Sequence, residues 1–182
     1  METETIARMA ARAWGIYSQG KDCMGHPYLK GLSPCEHLKV VEKGGEDILM
    51  IPLLDSFLDF SDLLFINETG EKRLLGGRPI NDIGEGSFFF IGALSIPKLY
   101  VGVELSDMLS LSQVTGQPSF VTFTLGNLPA VVDTILSEGW FKPHQLVLAS
   151  IEEDFDAVRS ISKEYGLPCL LHETNIKEAA NG

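Results

Sequence analysis

The amino-acid sequence predicts an α/β fold in which an N-terminal helix and a small β-rich lobe precede a parallel sheet with flanking helices. Three observations predict it: helical spacing of apolar residues at the N-terminus, short β-favouring runs up to residue 96, and continuous apolar strands that alternate with helical patterns beyond it. We therefore divide the chain into a lobe over residues 1–96, an α/β domain over residues 97–175 and a tail over residues 176–182.

Length and composition are those of a protein with one sizeable core. The chain has 182 residues and contains no run near the roughly 18 apolar residues that span a bilayer, nor a signal-peptide pattern, so we expect a cytoplasmic protein with no membrane partner. Three cysteines are too few for a disulfide framework and are expected to be free thiols. The net charge of −11 disfavours tight autonomous binding of duplex DNA.

The first half begins with a helix and continues in short strands. Apolar residues from Thr5 to Ser18 recur at steps of three and four, which predicts an amphipathic helix. The Gly- and Pro-rich segment after it predicts a loop with one short turn over Pro27 to Leu29. Antiparallel hairpins are then predicted from five runs: HLKVVE, DILMIPLLD, FSDLLFIN, EKRLLGG and GSFFFIG. The clearest turn is NETG, in which Gly70 supplies a positive φ.

The second half alternates strands and helices. Continuous apolar strands are predicted over KLYVGVE, PSFVTFT and HQLVLASI, with CLLHE as a further candidate. Between them lie three helical patterns: LSDMLSLSQVTG, NLPAVVDTILSEGW and FDAVRSISKEYG. Strands buried on both faces, alternating with helices, indicate a parallel sheet built from right-handed βαβ units.

Candidate acidic residues follow two of these strands. Glu104 ends the first strand, and Glu152, Glu153, Asp154 and Asp156 follow the third. Because ligands of parallel sheets gather at the carboxyl ends of the strands, these carboxylates could meet, and oxygen ligands without His or Cys suit Mg²⁺. The alternative is that they are solvated carboxylates that gain dipole energy at helix N-termini.

Basic residues concentrate in one glycine-containing stretch. Lys72, Arg73 and Arg78 lie close to Gly76 and Gly77, which predicts a local patch that faces nucleic-acid phosphates. The alternative is a plain hairpin, since Lys on an edge strand blocks unwanted strand pairing.

A zinc site is disfavoured elsewhere in the lobe. Cys23 and His26 are three positions apart, whereas Cys35 and His37 are too close for the usual ligand spacing of a structural site. A structural role in a loop suffices for His26.

Several irregular segments, taken in order, resemble the Toprim-bearing part of phage- and plasmid-borne DNA primases. These segments are HPYLKGLSP, DILMIPLLD, FSDLLFINETGEKRLLGGRP, GSFFFIG, LYVGVELSDMLSLSQVTGQPSFVTFTLGNL and LVLAS, and the similarity extends to about Tyr165. The resemblance implies a Toprim-like parallel sheet with metal-dependent nucleotidyl-transfer chemistry. In that family a Glu after the first sheet strand and an Asp-x-Asp after the third hold Mg²⁺.

Departures from the family pattern fall at the implied metal site. Leu105 stands where the family has Gly after the Glu, and its side chain is expected to crowd an approaching phosphate. One alignment register puts Ile151 and Glu153 at the two aspartate positions, and Ile151 cannot bind a metal ion. A second register uses Asp154 and Asp156 but needs three extra residues after the strand. We favour the first register and thus a weakened site.

Two functional hypotheses follow from the resemblance. The first is a primase-like module of a mobile-element replication or conjugation protein, with Glu104 as metal ligand or general base, DNA or RNA held weakly, and replication proteins as partners. Any remaining activity would be that of a DNA primase-type nucleotidyltransferase. The second is a non-catalytic module that retains the fold and binds a protein through its acidic surface, a hypothesis that the net charge of −11 favours.

Overall fold

The described residues form two sheets and four α-helices. A computed structural model describes residues 2–33, 35–93, 97–151 and 153–171, with burial assigned from residue 10 onward. The predicted N-terminal helix is present as α1 (Glu2–Tyr17). Ala13 and Tyr17, four positions apart, are buried on the face of α1 that packs against the first sheet.

The first sheet is antiparallel, as the hairpin pattern predicted. Its strands lie side by side in chain order: β1 (Lys21–Asp22), β2 (Lys39–Lys43), β3 (Glu46–Leu54), β4 (Phe60–Ile66), β5 (Lys72–Leu74) and β6 (Arg78–Pro79). A short 3-10 turn over Pro27–Leu29 confirms the predicted loop turn. This sheet supplies the strand, β5, that carries two of the predicted basic residues.

The turn between β4 and β5 is built as the sequence predicted. Asn67 Oδ1 accepts hydrogen bonds from the backbone N–H groups of Thr69 and Glu71, at 3.1 and 2.8 Å. Gly70 has a φ of 87°. This conformation is unfavourable for any residue that has a side chain, so glycine suits the position. The turn therefore fixes where β5 begins and which of its faces carries each side chain.

The second sheet is mostly parallel. Its strands are β7 (Phe89–Ile91), β8 (Leu99–Gly102), β9 (Ser119–Val121), β10 (Leu146–Ser150) and β11 (Cys169–Leu171), in the order β11-β10-β8-β9-β7. The helices that connect its parallel strands are α2 (Leu105–Thr115), α3 (Leu128–Ser137) and α4 (Phe155–Tyr165). Parallel pairing of β8 through β11 confirms the predicted α/β character of the second half.

One predicted strand belongs to a different sheet. The run GSFFFIG was grouped with the antiparallel lobe, but β7 pairs antiparallel with β9 at the edge of the second sheet. A single bridge between Leu54 and Phe88 still connects this segment to the end of β3. Local pattern could not decide this pairing, because Phe88 is fully buried and stacks on Phe120 of β9, a contact between residues distant in sequence.

The order of the parallel strands creates a crevice. From β8 the chain passes through α2 to β9 on one side, and through α3 to β10 on the other side of β8. Such a reversal leaves a gap between helices at the carboxyl ends of β8 and β10, where ligands of open α/β sheets bind. The predicted acidic residues follow these two strands.

No helix in the described part of the chain combines the length and apolarity that a membrane crossing requires.

Candidate functional site

Glu104 lies at the junction of β8 and α2, as predicted. Its backbone is extended, with φ −94° and ψ 134°, and its carbonyl accepts the first helical hydrogen bond from the Met108 N–H at 3.1 Å. The Glu104 side chain makes no capping bond to the helix. Its carboxylate is therefore directed away from the free N–H groups of α2 and is available to another partner.

That partner is Lys72 of β5. Lys72 Nζ lies 2.6 Å from Oε1 and 2.6 Å from Oε2 of Glu104, so the ammonium group donates to both carboxylate oxygens. The Lys72 side chain is 15% exposed and that of Glu104 is 30% exposed. The ion pair joins the first sheet to the second across 32 positions of sequence, at the junction of β8 and α2.

Asp107 brings a second carboxyl group to the same place. It lies one helical turn after Glu104 and is only 6% exposed. Burial, followed by the negative charge of Glu104, raises the pKa of Asp107 to about 6, while Lys72 lowers that pKa and Asp154 raises it further. The pKa of Asp107 thus depends on charges from the start of α2, from the first sheet and from the segment after β10.

Of the acidic residues predicted after β10, Asp154 is the one whose charge influences Asp107. Asp154 is the half-buried residue that precedes α4, and its charge acts on Asp107. Glu153 and Asp156 are exposed, and Glu152 lies outside the described residues. We call Glu104, Asp107 and Asp154 the acidic cluster.

Tyr28 closes one side of the site. Its hydroxyl is within hydrogen-bonding reach of Ser106, in the first turn of α2, and both its burial and the charge of Glu104 raise its pKa. His26 positions it: the Tyr28 N–H donates to His26 Nδ1 at 3.3 Å, and His26 Nε2 lies 2.9 Å from the Asp47 carbonyl oxygen. Because both ring nitrogens hydrogen-bond the backbone, His26 has the structural role in the loop that the sequence predicted.

Neither of the two departures from the family pattern offers a ligand to a metal ion. Leu105 is fully buried and belongs to the core cluster that includes Leu64 and Leu74 of the first sheet, so its side chain does not line the crevice. We expected it to crowd a phosphate, and its burial removes the side chain from that role. Ile151 is half-buried directly after β10, where it offers no metal ligand.

The donor atoms suit a hard cation, but their arrangement does not form a metal site. Carboxylate oxygens are the ligands that Mg²⁺ prefers. Both oxygens of Glu104 contact Lys72, however, and within the described ranges no three His, Cys, Asp or Glu side chains are grouped so that they could hold a metal ion. The residues present therefore do not fit a preformed Mg²⁺ site.

The other two predicted basic residues also have carboxylate partners. Arg73 Nη2 lies 2.7 Å from Glu71 Oε1, on the exposed surface of the hairpin, and Arg78 pairs with Asp62. Arg73 also borders a groove of about 690 Å³ whose lining includes Gly76 and Gly77. Nucleic-acid binding by Lys72, Arg73 and Arg78 remains a prediction.

Sequence reasoning missed Asp107 and Tyr28. A signal for Asp107 was present, since a spacing of three places Glu104 and Asp107 on one side of the first turn of α2. Tyr28 carried no comparable signal, because its partner Ser106 is distant in sequence.

Comparison with known proteins gives a weak structural likeness to a chain from a phage replication assembly. No protein-family model matches the chain, and no curated protein matches it in sequence. A chain in the structure of bacteriophage T7 lagging-strand DNA polymerase interacting with primase domains of two gp4 subunits, bound to an RNA/DNA hybrid and dTTP, aligns with a TM-score of 0.48 and 14% identity. The alignment covers 77% of this chain and 72% of that chain. Agreement at this level concerns the backbone and says nothing of a shared activity.

Proposed function

We propose that this chain is a primase-like nucleic-acid module of a mobile-element replication or conjugation protein, with a Toprim-like sheet and a weakened acidic site. The proposal is supported by the sequence resemblance together with the position of the acidic cluster at the crevice of a wound parallel sheet. Its ancestry would be that of enzymes that transfer nucleotides with the help of Mg²⁺.

A single observation carries the proposal: Lys72 Nζ contacts both carboxylate oxygens of Glu104 at 2.6 Å. An ammonium group in this position competes with a cation for the same oxygens, so Mg²⁺ alone should bind weakly. A phosphate group would offer Lys72 another anionic partner and thereby release Glu104. We therefore expect cations and phosphates to bind better together than separately, which accords with the reliance of Mg²⁺ on substrate phosphates.

The same ion pair also favours a second candidate function. With a side-chain exposure of 15%, Lys72 neutralises Glu104 and ties the first sheet to α2 without any ligand. A non-catalytic protein-interaction module could retain such a pair for stability alone. The two candidates differ in whether Glu104 can be released from Lys72.

Metal titration separates the two candidates. Mg²⁺ and Mn²⁺ would be titrated into the wild-type chain, Lys72→Met and Glu104→Gln, with thermal unfolding as the readout, because a ligand of the native state raises the unfolding temperature. The primase-like proposal expects weak binding by the wild type, tighter binding by Lys72→Met and none by Glu104→Gln. Arg73→Met is the matched control, since it removes the neighbouring cation, and it should behave as the wild type.

The opposite result would favour the non-catalytic module. If neither the wild type nor Lys72→Met gains thermal stability from either metal, with or without nucleoside triphosphates, the acidic cluster is not a metal site. Primer synthesis on a single-stranded DNA template, assayed with both metals, then tests activity directly. Oligonucleotide products that depend on Glu104 would establish the enzyme, whereas their absence together with absent metal binding would leave the interaction module.

A further inference from the structure

A groove lined by aromatic side chains opens on the surface between α1 and the two sheets. It has a volume of about 320 Å³, and its lining includes Trp14 and Tyr17 of α1, Phe60 of β4, Phe90 of β7 and Leu58 of the β3–β4 turn. We call these five residues the aromatic groove. It shares no residue with the acidic cluster.

The rings of the aromatic groove hold one another in place. The Trp14 ring meets Phe60 edge-on at 5.6 Å and Tyr17 at 5.7 Å between centroids. The Tyr17 hydroxyl donates to the His37 carbonyl oxygen at 2.7 Å. Trp14 nevertheless remains 55% exposed. A preorganised, partly exposed Trp supported by a buried Tyr is typical of the residues that dominate protein–protein binding energy.

The adjoining turn displays apolar side chains in a strained backbone. Leu58 has a φ of 62°, which is unfavourable for a branched side chain, yet it is 41% exposed, and the preceding Phe57 is 78% exposed. Asp55 Oδ1 stabilises the turn by accepting hydrogen bonds from the backbone N–H groups of Phe57 and Asp59, at 2.9 and 3.1 Å. Burial in the protein's own core does not explain why these two side chains are held outward.

Charge at the aromatic groove selects the kind of partner. Asp55 and Asp59 flank the exposed apolar side chains, and neither has a basic partner within 4.0 Å among the residues whose side chains are described. Glu36, beside the lining residue His37, is 85% exposed. The nearby cation, Lys39, lies 4.4 Å above the Tyr17 ring. Carboxylates without a basic partner repel phosphate and attract Lys or Arg.

We propose that the aromatic groove is a docking site for a basic amphipathic segment of a partner protein. Apolar side chains of that segment would enter between Trp14 and Leu58, and its Lys or Arg side chains would face Asp55 and Asp59. A volume of about 320 Å³ accommodates side chains of a short segment rather than a folded domain. The proposal goes beyond the proposed function and does not depend on it.

The test uses synthetic peptides and the full chain. The probe is a helix-forming peptide with Leu on one face and Lys on the other, compared with a version that has Ser for Leu and one that has Glu for Lys. Binding is measured by calorimetry at low and moderate salt. We expect the Leu/Lys peptide to bind, and both altered peptides to bind at least about tenfold more weakly.

Exposed variants locate the binding. Phe57→Ser and Leu58→Ser should each weaken binding of the Leu/Lys peptide at least about tenfold, and Asp59→Ser should weaken it and flatten its salt dependence. Val114→Ser is the matched control, because Val114 of α2 is 79% exposed but belongs neither to the aromatic groove nor to the adjoining β3–β4 turn. It should bind as the wild type, as should Glu104→Gln. Thermal unfolding of each variant verifies that it is folded, and Phe57→Ser removes no core contact.

Three results would overturn the proposal. The first is failure of the Leu/Lys peptide to bind, or equal binding by its Ser version or by the folded Phe57→Ser and Leu58→Ser variants. The second is binding of a single-stranded oligodeoxynucleotide, in preference to the peptide, that the same variants abolish. The third is self-association of the chain that Leu58→Ser abolishes, because the occupant would then be a second copy.

Discussion

Lys72 and Arg73 are neighbours in β5, yet their surroundings differ sharply. Lys72 points towards the second sheet, is 15% exposed and holds a carboxylate 32 positions away. Arg73 points to the other face, is 53% exposed and pairs with Glu71 of the same hairpin. Alternation of side chains along a strand, with a period of two, produces this difference from adjacent residues of the same charge.

The difference shows that a basic stretch of sequence need not form a basic surface. The Lys72–Glu104 ion pair is partly shielded from water. Removing one partner therefore leaves the other as a poorly solvated charge. The pair at Arg73 is exposed, where water and salt screen most of the attraction. The ion pairs of the two residues should therefore differ several-fold in their contribution to the free energy of unfolding. The predictions below test that difference and the site around Lys72 in descending order of expected effect.

The largest effect is expected from Lys72→Met. This substitution keeps the apolar stem but leaves Glu104 close to Asp107 without its counter-charge, so we expect a loss of about 3 kcal/mol in the free energy of unfolding, the low end of the range for buried pairs. Urea unfolding at neutral pH and moderate salt measures it. The double variant Lys72→Met/Glu104→Gln should recover most of the loss, because it leaves no unpaired charge.

Metal sharpens the same comparison. If Lys72 excludes cations from Glu104, added Mg²⁺ should return part of the stability lost in Lys72→Met and none in the double variant. Equal stability of Lys72→Met and the wild type would show that the ion pair contributes nothing, and the contrast between Lys72 and Arg73 would then be wrong.

A smaller effect, on the order of 2 kcal/mol, is expected from the ionisation of Asp107. Its native pKa of about 6 lies above the ordinary aspartate value of 3.8, so between these pH values the native state keeps a proton that the unfolded chain has released. Stability contributed by the protonated form is therefore present at low pH and lost as the pH rises from about 4 to about 6. Asp107→Asn should lack this fall in urea-unfolding experiments across the range.

The matched control for Asp107 is Asp156→Asn, since Asp156 is exposed in the first turn of α4. It should retain the pH dependence of the wild type. If the stability of Asp107→Asn falls over this pH interval as much as that of the wild type, the raised pKa of Asp107 is wrong.

Much of the fold could be predicted from the sequence because its signals are local. The periodicity of α1, the NETG turn with Gly70, and the alternation of apolar strands and helices after residue 97 each depend on residues close in sequence. The assignment of β7 to the first sheet was wrong for the complementary reason. Its partner is β9, some thirty positions away, and a short run of phenylalanines does not specify which strand it pairs with.

The candidate site could be predicted only in part. Strand ends singled out Glu104 and the acidic segment after β10, because carboxyl ends of parallel strands share one edge of the sheet, and the metal role of these residues stays a prediction. The contact of Lys72 with Glu104 depends instead on how the lobe packs on the second sheet and on which face of β5 each basic side chain occupies. Sequence pattern gave Lys72 and Arg73 the same interpretation, and only tertiary packing separates them.

Tyr28→Phe tests a second contact between the lobe and α2, that of the Tyr28 hydroxyl with Ser106. Removing the hydroxyl near Ser106 keeps the ring packing beside Gly70, so we expect a loss of about 1 kcal/mol in the free energy of unfolding. An unchanged stability of Tyr28→Phe would show that water replaces this contact without cost.

The smallest effect is expected from Arg73→Ala. Its pair with Glu71 is exposed on both sides, 53% and 54%, so removing it should change the free energy of unfolding by no more than about 0.5 kcal/mol. The change should also shrink further in high salt, because the Debye length falls to about 3 Å at 1 M. Urea unfolding of Arg73→Ala beside Lys72→Met, at low and high salt, measures both quantities in one experiment. A loss at Arg73 as large as that at Lys72 would mean that burial does not distinguish the two faces of β5, and the reason for assigning them different roles would disappear.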